Sequence, residues 1–276
     1  MNMRLFFIFS ILPVLIFSVR PVAAQEPAIK PGKAYILSGF KDTKDIVTAP
    51  VRWKARQWVS FLCIAGAGTA LSTQDKTIHD FFQRNRTTAS DNIARYGLEP
   101  WGSGMYSMAS MAALYLQGAI TKNQRSKKAS LMGVKTFFVT GLAANITKEI
   151  FGRHRPFQAE EEAAHSGKPL NPYIFSGPLK NIHYNSFPSG HTTSAFAVAT
   201  IIAEEYKEKP LIPVIAYTLA GLTGLSRIND NKHWASDVFI AAAFGYSMGK
   251  LIGGKNNWGI TLLPRTTGIA LVVPVG

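Results

Sequence analysis

Residues 188–203 read Pro-Ser-Gly-His-Thr-Thr-Ser-Ala-Phe-Ala-Val-Ala-Thr-Ile-Ile-Ala, and the reading of that run decides the fold. Proline and glycine interrupt the chain at its start, Ser189 is a good N-cap, and no charged residue follows until Glu204. An apolar run of that length favours a helix over a strand. The helix then begins at a serine-capped turn, with His191 one residue inside it. Unpaired N–H groups and the positive end of the helix dipole face outward from such a start and suit an anion. Gly190 lets backbone come close to that anion.

Five more apolar stretches, rich in Ala, Gly, Leu, Ile and Phe, lie at 57–74, 100–121, 129–147, 211–226 and 238–254. Together the six predict an all-α fold, a six-helix bundle over residues 57–254. Residues 1–24 read as an export signal: Arg4 supplies the positive start, Leu5 to Val19 the apolar run, and Val22-Ala23-Ala24 the small residues before Gln25. A polar, proline-bearing segment (25–56) follows and ends in Arg52, Lys54 and Arg56. Residues 255–276 form a β-rich tail, with two runs flanking Arg265-Thr266-Thr267-Gly268 as a hairpin.

The 276 residues are 47% hydrophobic and 17% charged, which excludes a disordered chain. A lone cysteine, Cys63, excludes a disulfide framework and a cysteine zinc site, and its apolar setting predicts an inert core position. Thirty basic against sixteen acidic residues give a net charge of +14. That charge points to nucleic acid, a membrane surface or a phosphorylated molecule; an export signal argues against nucleic acid. Mean hydropathy is +0.07, between a soluble domain and a lipid-embedded one. Twenty-two uncharged residues between Glu99 and Lys122 are enough to cross a bilayer, whereas the twelve between His191 and Glu204 are short. Positive-inside counting places 52–56 and 122–128 on the cytoplasmic side. A cleaved signal leaves the residues after it outside, and these two inferences differ by one crossing. A spanning bundle with a periplasm-facing site and a soluble periplasmic bundle both remain open.

The chemistry-bearing residues sit at the ends of the apolar stretches. Lys148 is followed seven residues later by Arg155-Pro156, with proline expected to stop the helix there. Ser226-Arg227 precedes His233 by six residues, and Asp237 comes four later. Lys148, Arg155 and Arg227 form a cation set for a phosphate, joined by Ser189 and the Gly190 backbone. The i, i+4 spacing of His233 and Asp237 predicts one helix face, on which the carboxylate holds the imidazole Nδ1–H and leaves Nε2 nucleophilic. Arg153, His183 and Tyr184 are candidates for the substrate mouth, and no metal-ligand set is read. The loops at 75–99 and 157–187 carry no readable code.

Lys148-x6-Arg155-Pro156, Pro188-Ser189-Gly190-His191 and Ser226-Arg227-x5-His233-x3-Asp237 together resemble the three-part signature of the type-2 phosphatidic acid phosphatase and vanadium haloperoxidase superfamily. All eleven signature positions match. The resemblance implies a helical bundle and phosphomonoester hydrolysis through a phosphohistidine, with no metal and no cofactor. It implies His233 as nucleophile, Asp237 as its orienting acid, and His191 as proton donor to the leaving oxygen and then base for water. Lys148, Arg155, Ser189, Gly190 and Arg227 become the phosphate-binding set. A phosphorylated lipid at an anionic membrane surface is the expected substrate. A secreted acid phosphatase of broad specificity is the alternative, and a vanadium haloperoxidase a remote one. Oligomeric state is not implied.

Overall fold

The computed structural model describes residues 31–178 and 185–253 and, as backbone alone, the strands at 261–265 and 268–272. In chain order the helices are α1 (Lys33–Thr48), α2 (Ala55–Ser72), α3 (Asp75–Arg84), α4 (Thr88–Asn92), α5 (Glu99–Ser103) and α6 (Met105–Ile120). They continue with α7 (Gln124–Phe151), α8 (Pro156–Ser166), α9 (Gly190–Glu205), α10 (Leu211–Asn229) and α11 (Ala235–Ile252). Each of the six apolar stretches is helical, so the all-α class stands, but the count of six does not. Part of the polar 25–56 segment forms α1, the supposed loops at 75–99 and 157–187 contain α3, α4 and α8, and the 100–121 stretch is split at Gly104 into α5 and α6. Length and periodicity miss such elements because their ends and neighbours hold them: Thr87 and Ser90 form a capping box on α4, and Pro156 opens α8. Thr261–Arg265 (β1) and Gly268–Val272 (β2) pair antiparallel, with Thr261 opposite Val272.

α9 is the centre of the bundle. Residues Thr192 to Ala203 are buried apart from Phe196, so this helix is enclosed on nearly all sides by α7, α10 and α11. Small residues set the spacing. A Cβ on Gly249 of α11 would meet Thr200 Cβ at 2.6 Å, and one on Gly224 of α10 would meet Val238 at 2.8 Å. Met111, Leu114, Val198, Ile202, Tyr206 and Ile212 fill the core between α6, α9 and α10.

The helices give the bundle two ends. Lys148 stands on the last turn of α7, His191 on the first turn of α9, Arg227 on the last turn of α10 and Asp237 on the first turn of α11. All four therefore share one end. α7 is 28 residues long, about 42 Å at 1.5 Å per residue, and its basic start (Arg125, Lys127, Lys128) is at the opposite end. α2 runs the same way: Ser72 O accepts a hydrogen bond from Tyr173 Oη at the site end, so Arg52, Lys54 and Arg56 lie far from the site. α1 packs on α7, where Tyr35 Oη donates to Leu131 O at 2.7 Å and Lys135 pairs with Asp42 at 2.6 Å. Cys63 is exposed, not a core residue, because α2 turns that face away from the bundle.

Candidate active site

The first motif is not one continuous helix end. α7 stops at Gly152, whose left-handed φ of 58° suits glycine and whose added Cβ would meet Gly177 O at 2.6 Å. Pro156 does not stop α7 but starts α8, with Arg155 as its N-cap. Between them, the strap 152–155 is pinned by backbone bonds from Ser176 N to Gly152 O, His154 N to Ile174 O and Ser186 N to Arg153 O. Lys148 Nζ, nearly buried, donates to Asn185 O at 2.8 Å.

Ser189 caps α9 as expected, accepting from Thr192 N and from the Thr192 hydroxyl at 2.8 Å. It is fully buried and lies behind the cavity wall, so its service to a ligand runs through the helix start. A Cβ on Gly190 would sit 3.7 Å from Lys148 Cε, at ordinary contact distance, so the two line the cavity side by side. His191 Nε2 lies 2.7 Å from Glu99 Oε1, a contact no motif announced. That bond holds the Glu99 carboxyl below its ordinary range. Gly102 of α5 packs on His191, where an added Cβ would come within 2.5 Å of the His191 Cβ and 2.9 Å of its backbone.

In the third motif, Lys232 N and His233 N both bond to Arg227 O, which folds the loop tightly after α10. His233 precedes α11 instead of sharing its face with Asp237, and the separation from His233 Nδ1 to Asp237 Oδ2 is 3.9 Å. The direct hydrogen bond expected from the spacing is therefore absent, because Asp237 is the N3 residue of α11 and its Oδ2 accepts Trp234 N at 2.9 Å. The same oxygen accepts Ser186 Oγ–H at 2.5 Å. Burial first, then the charges of Lys148, Arg155 and Arg227, hold the His233 imidazole well below its ordinary pKa, so the ring is neutral.

Arg153 is not at a substrate mouth. It is buried behind Asp237, with Nη1 donating to Asp237 Oδ1 at 2.6 Å and Nη2 to Asp75 Oδ2 at 2.8 Å. Asp75, from α3, also accepts Ser236 N at 2.9 Å. Trp234, almost fully buried, donates Nε1–H to His154 O at 2.9 Å and so bolts the first motif to the third. His183 and Tyr184, the other mouth candidates, lie outside the described residues.

The motifs enclose a cavity of about 380 Å³ lined by Lys148, Arg155, Gly190, His191, Arg227, Lys232 and His233, with Gly102, Ser103, Phe137, Gly141, Asn145 and Ser194 completing its wall. Among the described residues, no carboxylate lines it. Arg155 Nε and Arg227 Nε are buried without a hydrogen-bond acceptor among the described residues. Cationic donors in a cavity with no carboxylate among its described lining favour a polyanionic guest, and burial lowers the Arg155 pKa from its ordinary value. Among the described residues, no group of three or more His, Cys, Asp or Glu side chains is arranged to hold a metal ion.

Residues 129–254 match the PAP2 superfamily. The chain is 53% identical over 68 residues to a lipid A 1-phosphatase of Porphyromonas gingivalis, covering 24% of this chain and 15% of that protein. It is 27% identical over 160 residues to a probable diacylglycerol pyrophosphate phosphatase of Schizosaccharomyces pombe, covering 50% and 57%. The matched part is thus under two thirds of either relative. A crystal structure of a transmembrane PAP2-type phosphatidylglycerolphosphate phosphatase from Bacillus subtilis superposes with a TM-score of 0.50 at 18% identity, covering 73% of this chain and 96% of that one, a likeness of fold.

Proposed function

We propose, from the premise that residues 129–254 are a PAP2 superfamily domain, that this chain hydrolyses a phosphorylated lipid through a phosphohistidine without a metal ion. The observation that carries the reading is the cavity itself: among the described residues four cations and two histidines line it, no carboxylate does, and guanidinium N–H groups beside it lack acceptors. In this mechanism the lone pair of neutral His233 Nε2 attacks phosphorus. As the N–P bond forms, the P–O bond to the lipid breaks and the leaving oxygen takes the proton from His191. Water then attacks phosphorus, His191 removes its proton, and phosphate departs with His233 restored. Lys148, Arg155, Arg227 and the Gly190 N–H take up the charge on the equatorial oxygens, the work a metal ion does elsewhere. Glu99 holds the His191 proton until the leaving oxygen replaces it.

Three features favour a lipid. Both named relatives act on phosphorylated lipids by their titles. α7 and α10 are long and apolar enough to cross a membrane. Phe138, Leu142, Ile146 and Ile150, four residues apart along α7, are exposed and make an apolar stripe up to the site end. A cavity of this size takes the phosphate and its immediate carrier, leaving acyl chains along the outer helix faces. With the basic segments 52–56 and 122–128 at the far end, positive-inside logic favours a site on the outer, periplasm-facing side. α6 and α9, at 16 residues each, reach only about 24 Å against a hydrocarbon core of about 30 Å. Those lengths favour the soluble reading, whose signature is detergent-free turnover of nucleotides and sugar phosphates.

The test is phosphate release from ³²P-labelled phosphatidic acid and diacylglycerol pyrophosphate in mixed micelles, with and without a chelator. Acid-stable protein label is not expected, since N–P bonds hydrolyse in acid, so alkaline quenching is used. Label on the wild type, none on His233→Ala and no effect of the chelator support the proposal; unchanged release by His233→Ala overturns it.

A further inference from the structure

The link between Asp237 and His233 passes through a third residue. Asp237 cannot turn toward the imidazole. Its Oδ1 is held by Arg153, itself clamped by Asp75, and its Oδ2 caps α11 through Trp234 N. Freeing either oxygen would break a buried ion pair or a helix cap. The gap of 3.9 Å to His233 Nδ1 exceeds hydrogen-bond reach.

Ser186 occupies that gap. Its hydroxyl donates to Asp237 Oδ2 at 2.5 Å, and the same oxygen lies 3.4 Å from His233 Nδ1. Ser186 and Asp237 are fully buried and His233 nearly so, which leaves bulk water no access to the exchange. A hydroxyl has one proton and two lone pairs. With the proton committed to Asp237, only a lone pair faces Nδ1, and a lone pair there favours Nδ1–H. The tautomer with Nδ1 protonated is the one whose Nε2 lone pair is free to attack.

We infer that Ser186 is a positioning residue for the nucleophile: its hydroxyl fixes the His233 tautomer and transmits the Asp237 charge to the imidazolium that forms during attack. The assignment rests on the phosphatase reading for its use in turnover, while the tautomer itself exists with or without substrate. Ser186 stands two residues before the second motif, so its value is invisible in the spacing of the motifs.

The full-length protein in detergent micelles, labelled with ¹⁵N-histidine, reports the tautomer directly by long-range ¹H–¹⁵N correlation, with His233→Ala assigning the signal. Wild type is expected to show Nδ1–H, and Ser186→Ala a mixture with Nε2–H. Turnover of phosphatidic acid is expected to fall about 10- to 100-fold in kcat with KM little changed, the range for losing an orienting partner of a reactive histidine. Ser186→Thr, which keeps the hydroxyl, restores tautomer and kcat; Ser186→Cys, nearer in size to serine, gives an intermediate result should threonine not fit. A Ser186→Ala protein with the wild-type tautomer overturns the inference, whether or not kcat falls. If the wild type releases no phosphate from any lipid phosphate, the phosphatase reading fails, and the tautomer comparison still decides the role of Ser186.

Discussion

The two ends of the bundle use the same residue types in opposite ways. At the far end, Arg125 grips Glu208 with two N–H groups at 2.6 and 2.7 Å and covers the Tyr206 ring at 4.5 Å, Lys128 stands 3.5 Å from Glu205, and Lys250 pairs with Glu204. At the site end, Lys148 leans on a backbone carbonyl, and Arg155 and Arg227 keep buried N–H groups without acceptors among the described residues. Arg227 has an acid beside it, Asp230 at 3.1 Å, but on the side away from its vacant Nε. Burying cations with donors unsatisfied costs stability and is sustained where a ligand offsets it. Charge count cannot separate the two ends; the partners of each charge can.

The sharpest break between the ends is chemical. His233→Ala is expected to cut phosphate release by on the order of 10⁴-fold or more, as loss of a covalent nucleophile does, measured with phosphatidic acid in mixed micelles against the wild type. Next come the unsatisfied cations. Arg155→Met or Arg227→Met is expected to lose about 10²- to 10³-fold in kcat, the scale for removing a donor that meets developing charge, and to weaken competitive inhibition by vanadate in the same assay. A smaller loss than tenfold would mean that the buried cations at the site end are structural, like those at the other.

Removing a site charge also moves the pH profile, and the sign is fixed. In the proposed mechanism His233 must be neutral to attack, and its pKa lies well below the ordinary value because of burial and then the charges of Lys148, Arg155 and Arg227. Neutral imidazole is thus lost only as pH falls through that depressed value. Arg155→Gln removes one repelling charge, so the pKa rises toward 6.5 and the acidic limb of kcat/KM shifts to higher pH. The variant is then penalised more in acid than at neutral pH. An acidic limb that stays in place, or moves down, would detach Arg155 from the nucleophile.

Much of the candidate site's geometry was legible because it is written at helix ends: Ser189 caps α9, and Lys148 and Arg227 sit on last turns. What was illegible is long-range. Asp75 meets Arg153 across 78 positions, Glu99 meets His191 across 92, and nothing local marks either acid. Arg153 could be read only as extra charge near a phosphate; packing of α3 turns it inward onto Asp237. Spacing also misjudged Pro156 and the His233–Asp237 pair, since both arguments assumed continuous helix where Gly152 and the Trp234 cap break it. The short helices α3, α4 and α8 escaped for the same reason: their stability comes from caps and from the bundle they lie on, not from a long apolar face.

The far end supplies the smallest effect and the control on which the comparison depends. Arg125 and Glu208 make a two-pronged contact, but their side chains are 31% and 50% exposed, so solvent screens the pair and its worth is about 0.2–1 kcal/mol. Arg125→Met keeps the aliphatic stem over Tyr206 and removes the charge. A drop in Tm of a few degrees at most is expected by circular dichroism, shrinking further in high salt because part of the effect is screened attraction. Turnover and vanadate inhibition should stay at wild-type values, since the helix between Arg125 and Lys148 spans about 35 Å. If Arg125→Met instead lost activity as Arg155→Met does, the two ends would be coupled and the distinction between paired and unpaired cations would no longer locate the site.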